Sequence, residues 1–153
     1  MTSHLDNCNA LYFNLPSYLI AKLQKVQNAA ARLVTGTSKY DHISPVLYDL
    51  HWLPVKQRII FKILTLTFKC IYHLAPSYLS DLISVYSPSR TLRSSSQFLL
   101  NSKKVKTSNF GTRSFSYAAP YLWNSLPSNI RHTANFNSFK SKLKTHLFRT
   151  TYS

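Results

Sequence analysis

Apolar positions recur at helical spacing along most of the chain, and prolines mark where the runs begin. From Ser17 to Val34, Leu19, Leu23, Val26, Ala30 and Leu33 fall three or four apart, with Pro16 in front and Gly36 just past the end, which predicts a helix with one apolar stripe. Lys22, Lys25 and Arg32 fall on the opposite side beside Asn28, so the wet face is cationic. Ser44 and Pro45 supply a hydroxyl cap and then a residue of fixed φ with no amide to leave unbonded, predicting a short helix to about His51. Pro54 opens the longest helix, Val55 to Leu74. There Ile59, Ile60, Ile63, Leu64, Leu66, Phe68, Ile71 and Leu74 cover more than half the circumference, the pattern of a helix packed by several neighbours. The remaining strip carries Arg58, Lys62, Thr65 and Lys69, with no acid beside the cations along the helix. Pro76 and Ser77 begin a fourth helix, expected to reach about Val85.

The pattern then changes. Residues 86–113 hold ten Ser or Thr, six basic residues and Pro88, with short apolar runs such as Phe98, Leu99 and Leu100, and read as a loop with a weak hairpin. Helical spacing resumes at Ser114 with Phe115, Ala118, Ala119, Leu122 and Trp123 and stops at Pro127, while Pro120 must bend that helix or stand in its first turn. The last helix, about Asn137 to Arg149, places Phe139, Leu143 and Leu147 on a narrow stripe. Lys140 and Lys144 flank it on one side, Lys142 and Arg149 on the other, a pattern suited to docking on a partner or on the chain itself. The expected class is mainly α. A helical module over 1–85 forms a small bundle, and a strongly basic extension over 86–153 is partly irregular, with a short hairpin and terminal helices.

Composition sharpens this division. The chain has 153 residues, 44% of them hydrophobic, enough to bury real cores despite a formal charge of +15. Residues 1–54 hold four cations and three anions, residues 55–84 four and one, and residues 85–153 eleven and none. So steep a gradient makes the final third repel itself unless a polyanion neutralises it. No apolar run approaches the length of a membrane span, and no basic flank precedes a greasy stretch at the N-terminus. Secretion is not expected. Cys8 and Cys70 are too few for a disulfide framework, which fits an intracellular setting, nucleus and cytoplasm being indistinguishable.

The same composition removes most enzyme classes. Asp6, Asp41, Asp49 and Asp81 are the only acidic side chains, and two glycines, Gly36 and Gly111, cannot write a phosphate loop or a dinucleotide fingerprint. Cys70 and His73 stand three apart, with Cys8 and His42 as conceivable further metal ligands, but Cys70 lies on the apolar arc and reads as a packed thiol. No histidine has a Ser or Cys partner at an interpretable spacing, so no catalytic, metal or cofactor residue is named.

Binding chemistry has more material. Phe110, Phe115, Tyr117, Tyr121 and Trp123 lie among Arg113, Lys103, Lys104 and Lys106, a mixture that suits single-stranded nucleic acid, although the same rings could form a core. Arg90, Arg93, Lys103, Lys104, Lys106, Arg113 and Arg131 have no carboxylate in their segment, which makes phosphate their natural counterion. The expected phosphate-tracking set is Lys22, Lys25, Arg32, Arg58, Lys62 and Lys69, joined by those tail cations and by Lys140 and Lys144. RNA or DNA backbone is the expected partner; a membrane surface is a competing polyanion but not the expected one.

Specific strings narrow the reading. Leu5 to Asn9, Leu15-Pro16 and the run from Leu23 to Val34 (LQKVQNAAARLV) resemble the segment directly after the polymerase core in LINE-type, non-LTR retrotransposon reverse transcriptases. The likeness continues through Leu50 to Val55 (LHWLPV), Phe61-Lys62, Leu74 to Leu79 (LAPSYL), Arg90 to Ser95, Ala118-Ala119-Pro120, Leu122 to Pro127 (LWNSLP) and Phe139-Lys140 to Leu147-Phe148. The resemblance implies a thumb-like first half that grips template and primer, and a terminal extension that holds element RNA or target DNA. It also implies a palm domain as partner in the parent polyprotein. The Tyr-x-Asp-Asp string of the palm and the preceding endonuclease are absent from these residues, so the chain is expected not to be an enzyme. Asn7 stands where the family commonly has an aromatic, and Met1 falls inside a continuous family segment, from which a truncated copy is expected. The alternatives are a relic without function and part of an RNA-directed DNA polymerase whose palm lies elsewhere.

Overall fold

The computed structural model describes residues 5–88, 97–107 and 110–152. Among these the chain is mainly helical: α1 (Ser17–Thr35), α2 (Ile43–Asp49), α3 (Val55–Ile71), α4 (Ser77–Ser80), α5 (Phe115–Asn124), α6 (Ser128–Arg131) and α7 (Phe136–Tyr152), with 3-10 turns at Asn9–Tyr12 and Gly111–Arg113. The sequence boundary at 85/86 marks a change of charge, whereas packing gathers residues 1–61 with 144–153 into one compact unit and 62–143 into another. The division falls within α3 and α7.

In the first unit, α1 is bounded as its punctuation requires. Pro16 precedes it, and Gly36 ends it at φ 68°, donating its N–H to the Arg32 carbonyl. That left-handed φ, rather than crowding, is what calls for glycine, since a Cβ there would meet nothing within 4 Å. The face α1 buries is only partly the expected stripe, with Ala30 buried and Leu19 and Leu23 half-buried. Gln27, Ala30 and Ala31 are buried, while Val26 and Leu33 are 50% and 79% exposed. The reason is a tertiary hydrogen bond that periodicity does not show. Gln27 Nε2 donates to the Leu53 carbonyl at 2.8 Å, and the Val55 N–H, an orphan donor of the first turn of α3, reaches Gln24 Oε1 at 2.9 Å. Two glutamines on α1 thus fix the entry to α3, and the alanines beside them let the chain approach closely. Leu47 of α2 and Leu53, Val55, Ile59 and Leu147 complete the apolar part of this core.

The second unit is built on rings. Phe68 stacks on Phe139 with centroids 4.6 Å apart and on Tyr72 at 4.4 Å, and Trp123 stacks on Phe139 at 5.7 Å. Phe68, Trp123, Phe139 and Leu143 are at most 1% exposed. Trp123 Nε1 donates to the Phe98 carbonyl at 3.0 Å, so the indole is buried with its polar atom satisfied. Pro120 lies inside α5 and is buried, past the first turn where it would be least disruptive. The Asn135 side chain accepts from the Asn137 and Ser138 amides at 3.0 and 3.1 Å and so starts α7.

Three elements differ from expectation by more than a few terminal residues. α3 stops at Ile71 because His73 turns left-handed at φ 55° and the Leu74 N–H folds back to the Lys69 carbonyl at 2.7 Å. The fourth helix is a single turn that runs on into turns at Asp81, Leu82 and Ile83, and pairing begins just after them. Val85 bridges Leu100 antiparallel, with Tyr86 N–H to the Leu99 carbonyl at 2.8 Å and Asn101 N–H to the Ser84 carbonyl at 2.9 Å. This isolated pairing begins before residue 86, where the hairpin was expected to lie, and it is reinforced by Asn124, whose side chain donates to the Leu100 carbonyl and accepts from the Leu100 N–H, both at 2.9 Å. The third difference is α6, a turn behind Pro127 in a stretch for which no element was expected.

Candidate nucleic-acid interface

The expected cations fall into four groups. Lys22, Lys25, Lys62, Lys103, Lys104, Lys106, Lys140 and Lys144 are exposed. Arg32, Lys69 and Arg113 are half-buried; Arg32 Nη2 donates to the Asp41 carbonyl at 2.7 Å, and Arg113 ends a 3-10 turn. Arg58 and Arg131 are withdrawn from the surface. Arg90 and Arg93 lie outside the described residues.

Arg58 corrects the expectation of a cationic strip without an acid. Its Nε donates to Asp6 Oδ1 at 2.8 Å and its Nη2 to Asp6 Oδ2, a two-pronged pair in which the Arg58 side chain is 16% exposed. The partners are 52 residues apart, so helical spacing could not reveal them. Arg131 departs further, being 6% exposed with its Nε and Nη1 buried and unbonded. Burial alone pulls its pKa below the ordinary guanidinium value.

One ring gathers two of the expected lysines. Lys69 Nζ lies 5.3 Å and Lys140 Nζ 5.4 Å from the Phe136 centroid, so cations from α3 and α7 share an aromatic face. The rings expected to mix with cations divide. Trp123 is core, Phe115 and Tyr117 are half-buried, and Phe110 and Tyr121 are 79% and 58% exposed. Tyr117 and Tyr121 stack at 5.8 Å with planes 10° apart.

A second aromatic and cationic site is absent from the sequence expectation. Tyr48 and His51 at the end of α2, with Lys144, Thr145, Phe148, Arg149 and Tyr152 of α7, line a cavity of about 460 Å³ in the first unit. Its only trace in the sequence is the i, i+4 pair Phe148 and Tyr152, which belongs to neither the apolar stripe nor its cationic flanks.

Cys70, His73, Ser80 and Asp81 contribute to another cavity, of about 430 Å³, in the second unit. Burial pushes the Cys70 thiol up and so disfavours the thiolate, with a smaller opposing effect from its hydrogen bond with Ser80. Among the described residues no three His, Cys, Asp or Glu side chains are grouped to hold a metal ion, and no helix is long and apolar enough to cross a membrane. Comparison of the chain with family models, with curated proteins and with solved structures returns no match.

Proposed function

We propose that the protein is a non-catalytic nucleic-acid-binding module, related in kind to the thumb and C-terminal tail of a LINE-type reverse transcriptase, which grips RNA or DNA backbone through its basic faces. The observation that carries this reading is charge without internal compensation. Residues 85–153 hold eleven Lys and Arg and no acid, and Lys103, Lys104, Lys106, Lys140 and Lys144 of that segment are exposed. Four aspartates cannot neutralise 19 cations, and Asp6 is already engaged by Arg58. The remaining requirement, a dense line of negative charge, is what a phosphate backbone offers. Lys22 and Lys25 in the first unit and Lys62 and Lys69 in the second add further cations to this set, whereas Arg58 and Arg131 act inside the protein.

Backbone contacts of this kind position a strand without reading bases. Binding is therefore sequence-independent and depends steeply on salt. For six neutralised phosphates on a duplex, the slope of log affinity against log salt is about −5. Fluorescence anisotropy of a labelled duplex across a salt series measures it, and a flat titration refutes the reading. The non-catalytic part is tested by primer extension, where any product would show that polymerase chemistry resides in this chain.

A further inference from the structure

The cavity at the end of α2 is built from three kinds of group that a nucleotide needs together. Tyr48 is 50% exposed, with its ring 5.2 Å from Phe148 and edge-on to Tyr152 at 5.7 Å. His51 adopts φ 52°, with its N–H on the Tyr48 carbonyl at 2.9 Å, and this reversal lays its imidazole over Phe148 at 5.6 Å with planes 14° apart. The Asp49 carbonyl lies 3.1 Å from His51 Nδ1 and can only accept, so Nδ1 carries the hydrogen and Nε2 is the atom left for a ligand. Tyr152 is held by its hydroxyl, which donates to the Trp52 carbonyl at 2.8 Å. Among the described residues, Lys144, Thr145 and Arg149 line the same space with two cations and a hydroxyl, and no Asp side chain lines it.

Core packing explains Phe148 and Tyr152, which are half-buried, but not a half-exposed tyrosine facing a cavity with two cations. The volume of about 460 Å³ lies within the range of small-ligand sites. A flat π-system against Tyr48, with an anion attached to it and met by Lys144 and Arg149, describes a nucleotide. We propose that this cavity receives one unstacked nucleotide of a single-stranded nucleic acid, the base lying on the Tyr48 and His51 rings and its phosphate meeting Lys144 and Arg149. The inference rests on the nucleic-acid reading above and adds to it a preference for single strands, because bases stacked within a duplex cannot enter the cavity.

The full chain is tested with a labelled oligo(dT) strand and a duplex of equal length. Loss of one stacked base lowers affinity by about tenfold. Tyr48→Leu, which keeps apolar bulk, is therefore expected to weaken oligo(dT) binding by about tenfold and to leave duplex binding within about twofold, with Tyr48→Trp restoring the former. A 5-iodouridine-substituted strand, photocrosslinked to the unsubstituted protein, is expected to label Tyr48, His51 or Phe148, a result that does not depend on any variant folding. Equal weakening of strand and duplex, no weakening of either, or crosslinks confined to Tyr117 and Tyr121 would overturn this site while leaving backbone binding in place. Failure of the wild-type chain to bind strand or duplex would remove both readings together.

Discussion

The two compact units solve the same problem with different chemistry. The first joins its segments through polar side chains bonded over long sequence distances: Gln27 on the Leu53 carbonyl, Gln24 on the Val55 amide, Tyr152 on the Trp52 carbonyl, and Asp6 against Arg58. The second buries rings, with Phe68, Phe139 and Trp123 stacked at its centre. An apolar core gains from each area removed from water whatever its exact geometry, whereas a buried amide gains only when its partner is in place. The first unit should therefore be the more specific in its connections and the second the more stable.

The largest effect that would test this contrast is Phe139→Ala. It removes the ring shared by Phe68 and Trp123, and is expected to cost about 3–5 kcal/mol in urea unfolding. Gln27→Ala should cost about 1–3 kcal/mol, because the Leu53 carbonyl is left buried without its donor. Should the two losses prove equal, the distinction between the units is lost. A gentler change belongs to pH. Burial raises the Cys70 pKa in the folded chain, so the unfolded chain releases that proton first and stability falls as pH rises above the ordinary thiol value of about 8.5. Cys70→Val, melted at pH 7 and pH 9, should show a smaller decline than the unsubstituted chain. The smallest effect on stability is expected at Lys104, exposed in the basic loop. Lys104→Ala should shift unfolding by less than about 0.5 kcal/mol while making the salt slope of duplex binding shallower by about 0.9 if it contacts phosphate.

Elements with strong local grammar were legible in the sequence. Pro16, Pro54 and Gly36 place α1 and the start of α3, and Phe139, Leu143 and Leu147 are buried on the stripe their spacing draws, whereas α2 opens at Ile43 behind His42 with no side-chain cap, so Ser44 and Pro45 stand inside its first turn. What periodicity misses are decisions made by distant partners. Gln27 reads as polar and is 0% exposed because Leu53, 26 residues on, supplies an acceptor. The helix expected to reach Val85 stops at Ser80, and Val85 pairs with Leu100 instead. The cations expected to meet phosphate divide the same way. The exposed lysines follow from charge and helix face, but Arg58 is claimed by an aspartate on another segment, Arg131 is buried, and the cavity at Tyr48 needs two helices to exist.

The Asn124 amide grips both backbone groups of Leu100, three residues before Lys103. At the far end of that stretch, a Cβ on Gly111 would stand 2.8 Å from the Val105 Cβ, and the Gly111 N–H reaches the Thr107 hydroxyl at 3.0 Å. The lysines at 103, 104 and 106 thus leave from a tethered base. On the proposed nucleic-acid reading, a segment already gathered in this way surrenders less freedom on meeting a strand of phosphates, and the clamp at Asn124 would strengthen capture from a distance without touching the captured molecule.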